Sequence, residues 1–311
     1  MAEKKQLEAI QLEMLKQVAD LHSVPEGAYS LRINGQLHGK NSSEHITIEK
    51  KQDLPGIDIF IAPGTKNESL HIPVILSQAG IRETVYNDFH IGEDCDVTIV
   101  AGCGIHNGGD ETSEHSGIHR FFVGKGAKVK YVEKHYGSGE GTGERVMNPT
   151  TEVHMAEDSY MEMETAQIKG VDSTDRKTTA TLADRATLIV HEKLMTHGSQ
   201  YAETYFEIDL NGEDCGTHVV SRSVAKDQSR QKFISHVRGN NRSSGHTECD
   251  AIIMDGASVI AIPEISANHT EASLIHEAAI GKIAGEQLIK LMTLGLSEKE
   301  AEEQIINGFL K

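Results

Sequence analysis

Hydrophobic residues open this chain at a helical spacing and then change period. Leu7, Ile10, Met14, Val18 and Leu21 recur every three or four positions, which predicts an amphipathic helix over residues 3–22. Pro25-Glu26-Gly27 then ends it. From about residue 30 the apolar positions fall into short β-type runs broken by Gly, Asp and Asn. After residue 270 the helical period returns, with Leu288, Leu291 and Met292 followed by a stop at Gly295. Ser297-Glu298-Lys299-Glu300 reads as a capping box for a last helix carrying Ala301, Ile305 and Phe309 on one face. The expected organisation is a helix and linker over 1–29, a β core over 30–269 and a helical segment over 270–311.

Within the β region a cassette recurs: an apolar residue, a turn rich in Gly and charge, a small residue, then an alternating strand. Ile91–Ile99 and Val123–Tyr131 are clear copies, followed by Met155–Met161 and Leu182–Leu188. Looser copies lie at 212–215 and 254–259. The small residues Cys95, Ala127, Ser159, Ala186, Cys215 and Ala257 return at intervals of roughly 30 to 40 residues, as stacked repeats do. Small side chains suit the tight inner corners of a coil. The pattern predicts a mainly β fold, a parallel β-helix or solenoid; an antiparallel sandwich is the competing reading.

Composition narrows the function classes. A formal charge of −17 argues against sequence-independent binding to nucleic acid or an anionic membrane, which need basic patches. No apolar run approaches the roughly 18 residues of a membrane helix, and the N-terminus lacks the pattern of a signal peptide. The four cysteines form no Cys-x-x-Cys pair and read neither as a disulfide framework nor as a zinc ribbon. Those features fit a cytoplasmic protein.

Chemistry concentrates near the C-terminus. Cys249 lies in Thr247-Glu248-Cys249-Asp250, and His276-Glu277 follows on a later β-run. Thiolate, imidazole and carboxylate together suit iron or zinc better than calcium or magnesium. Cys249 alone reads equally as a small core hydrophobe, and His276-Glu277 alone as a solvated pair. The His-rich stretch 105–119 reads as a polar loop leaving the solenoid or as a second metal site. His115 and His119, four apart, would align only on a helix. Gly137-Ser138-Gly139-Glu140-Gly141-Thr142-Gly143 reads as a flexible turn, since it lacks the Lys-Ser/Thr of a phosphate-binding loop.

From roughly residue 70 onward the chain resembles the SufB/SufD family, the scaffold subunits of the SUF iron–sulfur cluster assembly system. The resemblance rests on Thr247–Asp250, on His276-Glu277-Ala278 with Gly281-Lys282-Ile283 and Glu286-Gln287-Leu288, and on Gly295–Glu298 with Ile305–Phe309. It implies a right-handed parallel β-helix and a C-terminal helical segment that docks a SufC-type ABC ATPase. It also implies that Cys249 holds sulfur and a nascent, transient cluster, with His276 and Glu277 as further ligands. Glu stands directly before the histidine in some members, where this chain has Ile275. The sequence lacks the long N-terminal extension of the bacterial subunits. No cysteine lies near Met147-Asn148-Pro149, where SufB-type subunits are expected to accept sulfur, and Cys103 and Cys215 do not obviously substitute.

The resulting expectation is a scaffold rather than an enzyme, working with the ATPase as a homodimer, with a sulfur donor and apo-protein recipients. Harder His or Glu ligands would weaken retention of a cluster that must be handed on. Two other classes remain, a β-helix enzyme acting on polysaccharide and a structural solenoid with an inert Cys249. The net charge of −17, the lack of Trp and the lack of a signal-peptide pattern weigh against the first.

Overall fold

Two ten-stranded sheets face each other, and the chain alternates between them as it climbs. The structure, a computed structural model, describes residues 7–311, so the first residues of the expected N-terminal helix lie outside it. In the first sheet the strands Asp96–His106, Lys128–Ser138, Tyr160–Lys169, Thr187–Thr196, Cys215–Ala225, Ser243–Ile253 and Ala272–Gly281 follow in spatial order. Each pairs in parallel with the next. The second sheet stacks the intervening strands in the same way, as Ser173–Leu182 does on Tyr201–Leu210. Parallel neighbours joined through the opposite sheet make a β-solenoid and exclude the antiparallel sandwich.

The repeated cassette builds the corners. Asp94, Asp158, Arg185 and Asp214 adopt left-handed backbone, with φ of 53°, 61°, 55° and 56°. Asp tolerates that region better than most residues. The residue that follows each turns inward: Cys95, Ser159, Ala186 and Cys215 are all buried. Cys215 Sγ donates to the Gly212 carbonyl at 3.1 Å and Ser159 Oγ to that of Ala156 at 2.6 Å. Cys95 and Cys215 are therefore corner residues, small enough for the bend and satisfied by backbone.

The helix Ala9–Ala19 packs Met14, Leu15 and Val18 on the outside of the first sheet, beside Leu31 and Ile75. A Cβ at Gly102 would stand 2.3 Å from the Val18 carbonyl oxygen, so only glycine admits the helix this close. At the other end the helices Gly285–Thr293 and Glu298–Phe309 follow the last strand. The expected capping box is present: Ser297 Oγ accepts from the Glu300 amide at 3.4 Å, and Glu300 Oε2 accepts from the Ser297 amide at 2.8 Å. Ile306 and Leu310 pack on Val224 of the β body. The helical segment begins later than the expected 270, because Ala272–Gly281 extends the first sheet.

The ends of the solenoid differ. At the start, Gln36–Asn41 and Ile46–Lys50 pair antiparallel with their neighbours and close both sheets. At the finish, Ser258–Ala267 and Ala272–Gly281 have no further strand beyond them among the described residues. Their interior-facing Ile265 and Ile280 are 46% and 38% exposed, as a core cut across would be.

Candidate functional site

Side-chain alternation on the last rungs decides where each expected ligand points. On Ser243–Ile253, Gly245, Thr247, Cys249 and Ala251 are buried, while His246, Glu248 and Asp250 alternate with them on the outer face. Across the ladder Thr247 stands opposite His276, Glu248 opposite Glu277, and Cys249 opposite Ala278. Cys249 and His276 thus share the interior face of adjacent rungs, offset by two residues. Glu277 faces outward with its side chain 66% exposed. The structure brings two of the three expected residues onto one face and puts the third across the sheet.

His276 has the geometry of a ligand. Its Nδ1 lies 2.6 Å from Thr247 Oγ1, which fixes the ring, and its Nε2 is buried without a hydrogen-bond partner. Burial and then the neighbouring His246 charge depress its pKa, so the ring stays neutral, as ligation requires. Cys249 is 1% exposed, and burial, with the charges of Glu192 and Asp250, pushes its thiol up to about 12. It therefore rests as a thiol near neutral pH.

A polar row leads inward from Cys249 along the first sheet. Glu133, Thr165, Glu192, Ser221 and Cys249 occupy one register line on five successive strands, all facing the interior. Ser221 Oγ donates to Glu192 Oε2 at 2.6 Å, and Thr204 Oγ1 to Glu192 Oε1 at 2.9 Å. Arg176, from the second sheet, lies 3.9 Å from Glu192 and ion-pairs with Glu133. Burial alone would raise the Glu133 pKa, but Arg176 and His135 hold it well below the usual carboxylate range. Thr165 Oγ1, within the row, is buried without a hydrogen-bond partner, and losing Arg176 would cost about 3–5 kcal/mol.

The row ends beside a second thiol. Cys103 faces the interior one rung before His135, its register partner. Burial would raise its pKa, but the His115 charge and hydrogen bonds from His115 and His135 bring it down to about 7. Burial likewise opposes charge on His115, yet Cys103 and Glu83 lift that imidazole to about 10. Both shifts run toward a thiolate–imidazolium pair, the charge state in which an accessible cysteine is nucleophilic; Cys103 itself is buried. His119, pushed down to about 4 by burial, stays neutral and meets Tyr131 Oη at 2.8 Å.

Sequence reasoning missed this pair through a period error. Ser113–Val123 is a strand, not the expected loop, and a strand puts residues two and four apart on one face. His115 and His119 therefore both point inward, buried. The loop is confined to residues 107–112. The glycine run stacks on it: Gly141 and Gly143 donate to the carbonyls of Asn107 and Gly109 at 3.1 and 3.0 Å. A Cβ at Gly141 would stand 2.2 Å from the Gly109 oxygen, so those glycines allow backbone to lie on backbone.

A family model described as SUF system FeS cluster assembly, SufBD core domain, matches residues 82–309. The chain belongs to that family. An iron–sulfur cluster assembly SufBD family protein of Archaeoglobus fulgidus is 30% identical over 279 residues, which cover 88% of this chain and 72% of that one. A relative of the same description from Methanothermobacter thermautotrophicus is 28% identical, covering 84% of this chain and 64% of its own length. Bacillus subtilis iron–sulfur cluster assembly protein SufB is 36% identical over 97 residues, 30% of this chain and 21% of that protein. This SufBD chain thus spans about two thirds of the Methanothermobacter relative. No helix among its described residues is long and apolar enough to cross a membrane.

Proposed function

We propose that this SufBD protein is an assembly scaffold with no turnover of its own, holding a nascent iron–sulfur cluster as cargo at the open end of its solenoid. The observation that carries the reading is the shared interior face of Cys249 and His276, with the His276 Nε2 buried and unpartnered. Cys249 supplies the soft ligand and His276 a harder one, a set that binds a cluster and releases it. Glu277, on the outer face, joins the site only from the rim of the open end.

Cys103 supports a role in sulfur delivery. Its thiolate attacks the sulfane sulfur of a donor persulfide; the new S–S bond forms at Cys103 as the donor's S–S bond breaks, and the donor leaves as a thiolate. Cys249 lies five strand steps away, about 24 Å at about 4.8 Å per step. The polar row between them offers a hydrogen-bonding lining for sulfur in transit. All four cysteines are free, in keeping with a reducing, cytoplasmic setting.

Two partners follow from uncovered surface. The open end, with its unpaired edges and exposed interior isoleucines, fits a second copy of the chain. Ile289, Met292 and Leu294, at 63%, 43% and 76% exposure, form an apolar patch suited to a SufC-type ABC ATPase. The deciding experiment is anaerobic reconstitution with iron and sulfide. The parent should develop cluster absorbance and Cys249→Ala should not; a normal cluster in Cys249→Ala rejects the scaffold reading.

A further inference from the structure

The outer face of the same rungs carries a second set of ligands that the cluster reading does not use. His218, His246 and Glu248 come from the neighbouring strands Cys215–Ala225 and Ser243–Ile253, and their ligating atoms all lie within 4.8 Å of one another. Register explains the cluster. His218 stands opposite His246, so the two rings stack at 4.9 Å with planes 6° apart. Glu248 is two residues along the His246 strand and therefore on the same face.

Local hydrogen bonding leaves this group incomplete. His218 Nε2 lies 2.9 Å from Glu248 Oε1, but His246 Nδ1 lies 3.7 Å from that oxygen, too far for a hydrogen bond. The His246 Nε2 is buried and unpartnered, 3.7 Å from Glu277 Oε1. An imidazole nitrogen hidden from water without a partner is costly, and a cation between these groups would satisfy it. The side chains of His218, His246 and Glu248 keep 38%, 32% and 25% of their exposure, so an ion can reach them. His218 and Glu248 border a groove of about 650 Å³ whose wall also holds Glu162, Glu164 and His191.

We propose that His218, His246 and Glu248 bind one divalent transition-metal ion, with Glu277 placed to add a second carboxylate. Two imidazoles and a carboxylate with open positions suit iron(II) or zinc, whereas calcium and magnesium prefer an all-oxygen shell. The site is distinct from Cys249, which lies on the opposite face of the same strand. It holds whether or not Cys249 carries a cluster.

The test uses cobalt(II) alone, added anaerobically to the intact chain, because its spectrum reports ligand type. In the Cys249→Ala chain one equivalent should bind with ligand-field bands and without a thiolate-to-cobalt charge-transfer band. His218→Ala and His246→Ala should each weaken binding about 10- to 100-fold, and Glu248→Gln, which keeps shape and loses charge, should weaken it as well. Any thiolate band that the parent shows belongs to Cys249 and should vanish in Cys249→Ala while the ligand-field bands of the histidine site remain, which separates this site from the cluster reading. Far-ultraviolet circular dichroism checks that the variants fold; their side chains are partly exposed, so the β body should persist. The proposal is overturned if no cobalt binds to the Cys249→Ala chain, or if adding His218→Ala and His246→Ala to that variant leaves binding as tight.

Discussion

Thr247 Oγ1 and His276 Nδ1 lie 2.6 Å apart on adjacent rungs, and this contact orients the imidazole whose other nitrogen has no partner. Thr247 is thus a positioning residue for His276. His276→Ala should weaken reconstituted cluster retention while Cys249 still holds part of it. Thr247→Val keeps the shape, frees the ring, and should cost about 10- to 100-fold in the iron affinity of the site. Release of iron to a chelator measures both. Retention unchanged in His276→Ala would remove the imidazole from the ligand set.

Acidity gives a separate signature. The His276 pKa is depressed, so the neutral ring persists below the ordinary value of about 6.5. Proton competition at that ligand begins only as the pH falls through the depressed pKa. The Cys249 thiol, raised to about 12, must lose a proton on binding. Between pH 7 and 9 apparent affinity should therefore rise about tenfold per unit for the one thiol proton displaced. Affinity flat across that range would mean that Cys249 does not ligate.

Cys103 should titrate near neutrality. A thiolate absorbance with a midpoint near 7 should vanish in Cys103→Ser and move upward in His115→Asn, where burial acts without the compensating charge. Free sulfide bypasses this thiol, so Cys103→Ser should still reconstitute a cluster chemically. The same variant should fail when sulfur comes only from a persulfide donor. Equal assembly from both sources would confine Cys103 to a structural role.

Much of this arrangement is legible from sequence, for physical reasons. The corner cassette is local, since a left-handed Asp followed by a small inward residue is read directly at Asp94-Cys95 and Asp214-Cys215. The capping box at Ser297 and Glu300 is local too. Sidedness at the site was harder, because Cys249 lies one rung before His276-Glu277 and only register tells which of those two shares its face. Cys103 was hidden further: its thiolate character arises from His135, its register partner 32 residues on, and from His115, 12 residues on, which reaches it across the solenoid interior.

The helical tail divides into a docked and a free part. Ile306 and Leu310 lie on Val224, whereas Ile289, Met292 and Leu294 face solvent. Leu294→Asp with Ile289→Asp should abolish copurification with the ATPase and leave thermal stability nearly unchanged, because exposed sites tolerate charge. Leu310→Asp should instead lower stability, since a buried contact is lost. Removing residues 285–311 combines both effects and also uncovers Val224. If the paired Asp variant binds the ATPase normally, the dock lies elsewhere.

The open end should set the oligomeric state. Ile265 and Ile280 face the interior of the last coil yet remain 46% and 38% exposed, and the two strands that carry them have free edges among the described residues. Uncovered apolar positions beside unpaired backbone favour association, and a two-fold pairing covers both at once. It would also bring two copies of Cys249 and His276 toward one another, and Glu277 from the rim. Sedimentation should therefore give a dimer for the parent. Ile265→Lys with Ile280→Lys should give a monomer, because the charges enter the face that must become dry. The core of the preceding coils is untouched, so the β signature of circular dichroism should remain. Loss of cluster binding in that monomer would mean that the site is shared between copies; retention would confine it to one chain. A parent that sediments as a monomer at every concentration would remove the second copy from the mechanism.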